Sequence, residues 1–217
     1  MQFGATAIGV RVKDGVILGV EKKLQSAKLM VNDQRSEKLK EIDRHCACAM
    51  SGIVGDARIL IDHARVEAQN HAFNFNEGKG IEQITQAVSD MAIHFGEGYE
   101  GSKQKPMARP YGVALLFGGV DERGPQLYAT DPSGTYLEWK ANVIGAGQET
   151  AMNELKEHYN EDMPLADAEK LVLQILKAVM EERIDKENVE VMVIPTATRK
   201  CVKRTQQQLD AVIRTLA

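Results

Sequence analysis

Cysteine, long apolar runs and any excess of basic charge are all missing or sparse in this chain, and each shortage removes a class of protein. The cysteines number three, Cys46, Cys48 and Cys201. An odd, small set builds no disulfide framework, so a reducing compartment, cytoplasmic or nuclear, is expected. No apolar stretch reaches the roughly 18 residues that a membrane span needs, and the first residues do not have the basic-then-apolar layout of a secretory signal. No membrane partner is expected. With 27 Lys+Arg against 31 Asp+Glu the formal net charge is -4. The basic residues are scattered rather than gathered in a stripe, which speaks against nucleic acid as a partner. Internal repeats and low-complexity tracts are also missing, so solenoids and linkers are set aside.

What remains is an ordinary globular composition, 43% hydrophobic and 27% charged over 217 residues, the size of one large domain. Residues 6–12 alternate around Ile8, Val10 and Val12, Lys13-Asp14-Gly15 supplies a turn, and residues 16–20 are continuously apolar. That pattern predicts an opening β-hairpin. After a polar stretch over residues 22–37, two strands are expected at 39–42 and 45–50. From Ile53 the period becomes helical through Ala57, Leu60 or Ile61, Ala64 and Ala68. A polar loop is expected over 74–80, and a second helix over 81–95 through Ile84, Val88, Met91 and Phe95. Residues 96–105 read as an exposed loop. Strands follow at 113–117, 126–130, 136–140 and 143–147, then helices from Gln148 and over 165–180, a strand at 189–194, an edge strand at 201–203 and a helix at 206–216. Two helix pairs interrupting hairpin-rich strands predict an α/β fold of four layers, an α/β/β/α sandwich. The apolar runs at 113–117 and 189–194 fit strands covered on both faces.

Few residues point to chemistry. Cys46 and Cys48 alternate onto one face of a strand and lack a nearby His/Cys pair to complete a metal set, so packing is their expected role. The histidines His45, His63, His71, His94 and His158 form no His-Glu-x-x-His pattern and read as surface or packing residues; no metal site and no cofactor are expected. Glycine-rich segments occur at Gly118-Gly119 and Gly145-Ala146-Gly147. The second follows a strand and opens a helix, as a phosphate cradle does, but lacks the Lys and Ser/Thr of a P-loop and the third glycine of a dinucleotide fingerprint. Close strand–helix packing is the alternative, and the one expected. Lys38 begins a strand, either as a solvated lysine paired with Glu37 or Glu41, or projecting from the end of the sheet into an opening.

The order of several motifs carries a resemblance. Arg109-Pro110-Tyr111-Gly112-Val113-Ala114-Leu115-Leu116, Gly119-Val120-Asp121, Gly124-Pro125-Gln126-Leu127 and Asp131-Pro132-Ser133-Gly134-Thr135 resemble the central signature of proteasome α-type subunits. So do Thr6-Ala7-Ile8-Gly9, Glu37-Lys38, Ile42-Asp43, Ser51-Gly52, Asp56-Ala57-Arg58 and Ala64-Arg65-Val66-Glu67. Within that family, Cys48-Ala49-Met50-Ser51-Gly52, Ala68-Gln69-Asn70-His71 and Gly118-Gly119-Val120-Asp121 look most like the α5 type.

The resemblance implies the N-terminal nucleophile hydrolase fold, one domain over residues 1–217. In the related β-type subunits an N-terminal Thr attacks, aided by a carboxylate and a Lys. Laid on that pattern, Glu21 falls at the carboxylate, Lys38 at the lysine and Ala5 at the nucleophile. A methyl group cannot attack a carbonyl, so a non-catalytic subunit is implied. Thr6 is the alternative nucleophile of a peptidase exposed by processing, but it is offset by one position along its strand. The implied partners are other α-type subunits in a seven-membered ring, β-ring subunits, and the C-termini of a regulatory particle or activator. The implied docking pocket for those C-termini comprises Lys38, Gly4, Gly52 and Ile53. Family members carry an N-terminal extension with Tyr-Asp-Arg and Phe-Ser-Pro-Glu-Gly-Arg leading into a gating helix. This chain starts at Met1-Gln2-Phe3-Gly4 and is read as a shortened form without that extension.

Overall fold

The computed structural model describes residues 4–22, 37–94, 108–180 and 182–216. Expectations for Met1 to Phe3, for residues 23–36, for Phe95 and for the loop at 96–105 lie outside the described residues. Two antiparallel sheets of five strands each form the centre. The first has the order β10-β9-β2-β1-β8, built from β1 (Ala7–Val12), β2 (Gly15–Glu21), β8 (Ala141–Ile144), β9 (Val189–Pro195) and β10 (Val202–Lys203). The second, β3-β4-β5-β6-β7, comprises β3 (Leu39–Asp43), β4 (Cys46–Gly52), β5 (Val113–Asp121), β6 (Gly124–Thr130) and β7 (Tyr136–Glu138). Helices α1 (Val54–Phe75) and α2 (Ile81–Ala92) cover the second sheet; α3 (Gln148–His158), α4 (Leu165–Val179) and α5 (Gln206–Thr215) pack on the first.

Alternation along the strands divides the apolar residues among three cores. Val16, Leu18, Leu39, Ala49, Leu116, Leu127 and Ile194 fill the space between the sheets. Their neighbours Ile17, Val191 and Val193 face α3 and α4, while Cys48, Met50, Leu115 and Phe117 face α1 and α2. A strand that feeds two cores has no polar face left, which is why the central strands read as unbroken apolar runs. The four-layer sandwich is thus as expected.

Two differences stand out. Helix α1 continues to Phe75, past the start of the expected loop, and stops at Asn76 in the left-handed conformation, φ 54°. Strand β5 continues through Gly118 and Gly119 to Asp121. A Cβ on Gly118 would sit 2.8 Å from Val16 Cγ1 across the sandwich, and one on Gly119 would sit 2.5 Å from the His45 carbonyl oxygen. These glycines let layers approach closely; they form no cradle.

Candidate functional site

The motif Asp56-Ala57-Arg58 and the motif Arg109-Pro110-Tyr111-Gly112 meet in space. Asp56, buried in the first turn of α1, accepts two hydrogen bonds from the Arg109 guanidinium at 2.7 and 3.0 Å and a third from the Gly112 N–H at 2.7 Å. The Arg109 hydrogen bonds hold the Asp56 carboxyl below its ordinary range despite burial. This carboxylate ties the start of α1 to the approach to β5, and Ile53 N–H adds a bond to the Gly112 carbonyl at 2.9 Å. Ile53 caps the helix without a side-chain acceptor and leaves its own side chain half exposed.

Gly52 precedes it with φ 129°, a conformation that disfavours any side chain, and a Cβ there would lie 2.9 Å from Val113 Cα. Gly4 packs on the same strand end: its Cβ would come within 2.8 Å of Gly52 N. Gly4, Gly52 and Ile53 are therefore brought together. Lys38 reaches the same strand, since its carbonyl accepts the Met50 N–H at 2.9 Å, two residues before Gly52. Among the described residues the Lys38 ammonium makes no hydrogen bond or ion pair, and partial burial alone pushes its pKa down. The pairing of Lys38 with Glu37 or Glu41, one of the two sequence expectations, is corrected: Glu37 is taken by Lys40 at 2.7 Å and Lys203 at 3.1 Å.

Ala5 is buried, and its carbonyl lies against Gly145. Thr6 is buried too, with both polar handles in use. Its N–H donates to Glu21 Oε2 at 3.1 Å, and its Oγ1 accepts the Gly147 N–H at 3.2 Å. The Ala146 N–H reaches the Gly4 carbonyl at 3.3 Å. The amides of Ala146 and Gly147 are thus spent on the segment leading into β1, and a Cβ on Gly147 would collide with Val179 of α4; the segment is a packing turn. Cys46 and Cys48 are fully buried in the core beneath α1 and α2, where desolvation drives both thiols up, away from the reactive thiolate.

One group escaped the sequence reading. Glu190 of β9 is buried, and its Oε2 accepts the N–H groups of Lys38 at 3.0 Å and Leu39 at 3.3 Å, while Oε1 accepts from Lys203 Nζ at 3.0 Å. Its signal was present: it is the lone charge in the apolar run 189–194.

This constellation sits on a chain whose residues 1–194 match the sequence profile described as "Proteasome subunit". The chain belongs to the proteasome subunit family. More narrowly, it is similar throughout to subunits of one type. It is 47% identical to the "Probable proteasome subunit alpha type-5" of Schizosaccharomyces pombe, over 99% of this chain and 85% of that one. It is 47% identical to the "Proteasome subunit alpha type-5" of Dictyostelium discoideum, over 96% and 86%, and 43% identical to that of Drosophila melanogaster, over 100% and 88%.

Proposed function

We propose that this chain is a non-catalytic subunit of the seven-membered α ring of the 20S proteasome core, folded as one domain. It stands beside other α-type subunits, seats on β-ring subunits, and serves as scaffold and docking surface for regulatory particles in ubiquitin-dependent protein degradation. The similarity to α type-5 subunits supports the assembly, and one observation supports the lack of catalysis: Ala5, the residue that the family resemblance puts at the nucleophile position, is a buried methyl. The runner-up nucleophile, Thr6, is a buried internal residue whose amide and hydroxyl are both bonded within the fold.

Lys38, Gly4, Gly52 and Ile53 form the docking pocket in this reading. A half-buried ammonium with no carboxylate among the described residues is a receptor for one from outside. A charge-assisted hydrogen bond of that kind contributes about 1.5–3 kcal/mol. In the assembled core particle, Lys38→Ala is expected to weaken activator-stimulated opening at this seam and leave ring assembly intact. Unchanged activator binding in the assembled variant would sink the docking role.

A further inference from the structure

Along β9, Val189, Val191 and Val193 face the helices and Met192 and Ile194 face the opposite sheet. Glu190 continues the inward row of Met192 and Ile194, so a carboxylate stands at the rim of the layer between the sheets. A carboxylate in that place is costly unless its oxygens are bonded, and both are. One oxygen takes the N–H groups of Lys38 and Leu39; the other takes the Lys203 ammonium. Lys203 also reaches Glu37 Oε1 at 3.1 Å, and Glu37 Oε2 accepts from Lys40 at 2.7 Å.

The geometry has a consequence for Lys38. It precedes an edge strand, and its main chain is gripped from two sides: the carbonyl by Met50 of β4 and the N–H by Glu190 of the other sheet. Because the ammonium makes no bond of its own to a described residue, those two grips on the main chain are what orient the Cα–Cβ bond from which the side chain sets out. We propose that Glu190, anchored by Lys203, is the positioning residue for Lys38, fixing from the opposite sheet the pose in which the ammonium receives a carboxylate. This rests on the docking role proposed above for Lys38.

The test measures, on the assembled core particle, the affinity of a short activator-tail peptide ending in a free carboxylate and of its C-terminal amide. Lys38→Ala is expected to weaken the free-acid peptide about tenfold or more and to spare the amide. Glu190→Asp keeps the charge but withdraws the carboxylate by about 1.5 Å, one carbon–carbon bond; it is expected to weaken the free-acid peptide about threefold or more. Glu190→Gln keeps one acceptor for the Lys38 and Leu39 N–H groups but turns an amide donor toward Lys203, so that anchor is lost; it is expected to weaken the free-acid peptide about twofold, less than Glu190→Asp. The double variant Lys38→Ala/Glu190→Asp should bind like Lys38→Ala alone, since Glu190 acts through Lys38. Wild-type affinity in Glu190→Asp, a larger loss in Glu190→Gln than in Glu190→Asp, or additive losses in the double variant would overturn the proposal while leaving the docking role standing. No loss in Lys38→Ala overturns both. Should Glu190→Asp fail to assemble, Lys203→Met is read in its place: about a twofold or greater loss confined to the free-acid peptide is expected, and no loss, or equal loss for both peptides, overturns the proposal.

Discussion

Thr6 and Glu21 are tied in both directions: the Thr6 N–H donates to Glu21 Oε2 at 3.1 Å, and the Glu21 N–H donates to the Thr6 carbonyl at 2.9 Å. The carboxylate that falls at a catalytic position in the hydrolase pattern thus closes the end of the β1–β2 hairpin. Glu21→Ala leaves a buried N–H unbonded and is expected to cost about 1–3 kcal/mol. Glu21→Gln retains the acceptor and should cost less than about 1 kcal/mol. Denaturant midpoints of the two variants check this; equal losses would contradict it.

Asp56 links stability to pH. Its folded-state pKa lies below its usual value of 3.8, chiefly through the Arg109 hydrogen bonds. A depressed carboxylate contributes stability that is fully present above the unfolded value and is lost as pH falls through the folded one. Asp56→Asn is expected to be less stable than wild type by about 1–3 kcal/mol near neutral pH. The gap should narrow as pH drops below about 4. Paired unfolding curves across that range test it, and a gap independent of pH would contradict the role.

Two glycines give substitutions of opposite sign. Gly119→Ala puts a methyl against the His45 carbonyl, a main-chain atom that cannot swing aside, and should cost about 1–3 kcal/mol. Gly55, itself exposed in the first turn of α1, has nothing within 4 Å of an added Cβ. There Gly→Ala should stabilise by about 0.4–1 kcal/mol by restricting the unfolded chain. Thermal midpoints moving in the same direction for both would contradict this reading of the packing.

The layer order was legible in the sequence because apolar alternation and turn chemistry act locally. Lys13-Asp14-Gly15 and Asp131-Pro132-Ser133-Gly134 each close a turn where their residues demand one, the latter with Asp131 Oδ1 accepting the Ser133 N–H at 2.8 Å. The end of α1 was not legible: beyond Ala68 its residues are mostly solvent-facing, Phe73 and Phe75 included, so the apolar period fades while the helix continues. Nor was the place of Gly118-Gly119, since the reason for those glycines lies on β2, α2 and the β3–β4 turn rather than beside them.

The site divides in the same way. Lys38, Gly4, Gly52 and Ile53 came from matching motifs, and the fold gathers the last three at one strand end. Glu190 holds Lys38 across a separation of 152 residues, a relationship no local pattern encodes. The Arg109–Asp56 bond, 53 residues apart, likewise gives two separate motifs a single physical reason.

In its proposed role this subunit does no peptide-bond chemistry: the family resemblance puts Ala5, a buried methyl, at the nucleophile position, and Thr6 is bonded within the fold. The most direct test treats the assembled core particle with an electrophilic peptide that traps N-terminal threonines, then measures the intact mass of each chain. This chain is predicted to carry no adduct and no new terminus at Thr6, while catalytic neighbours in the same particle are labelled. An adduct on this chain, or a chain beginning at Thr6, would contradict the account.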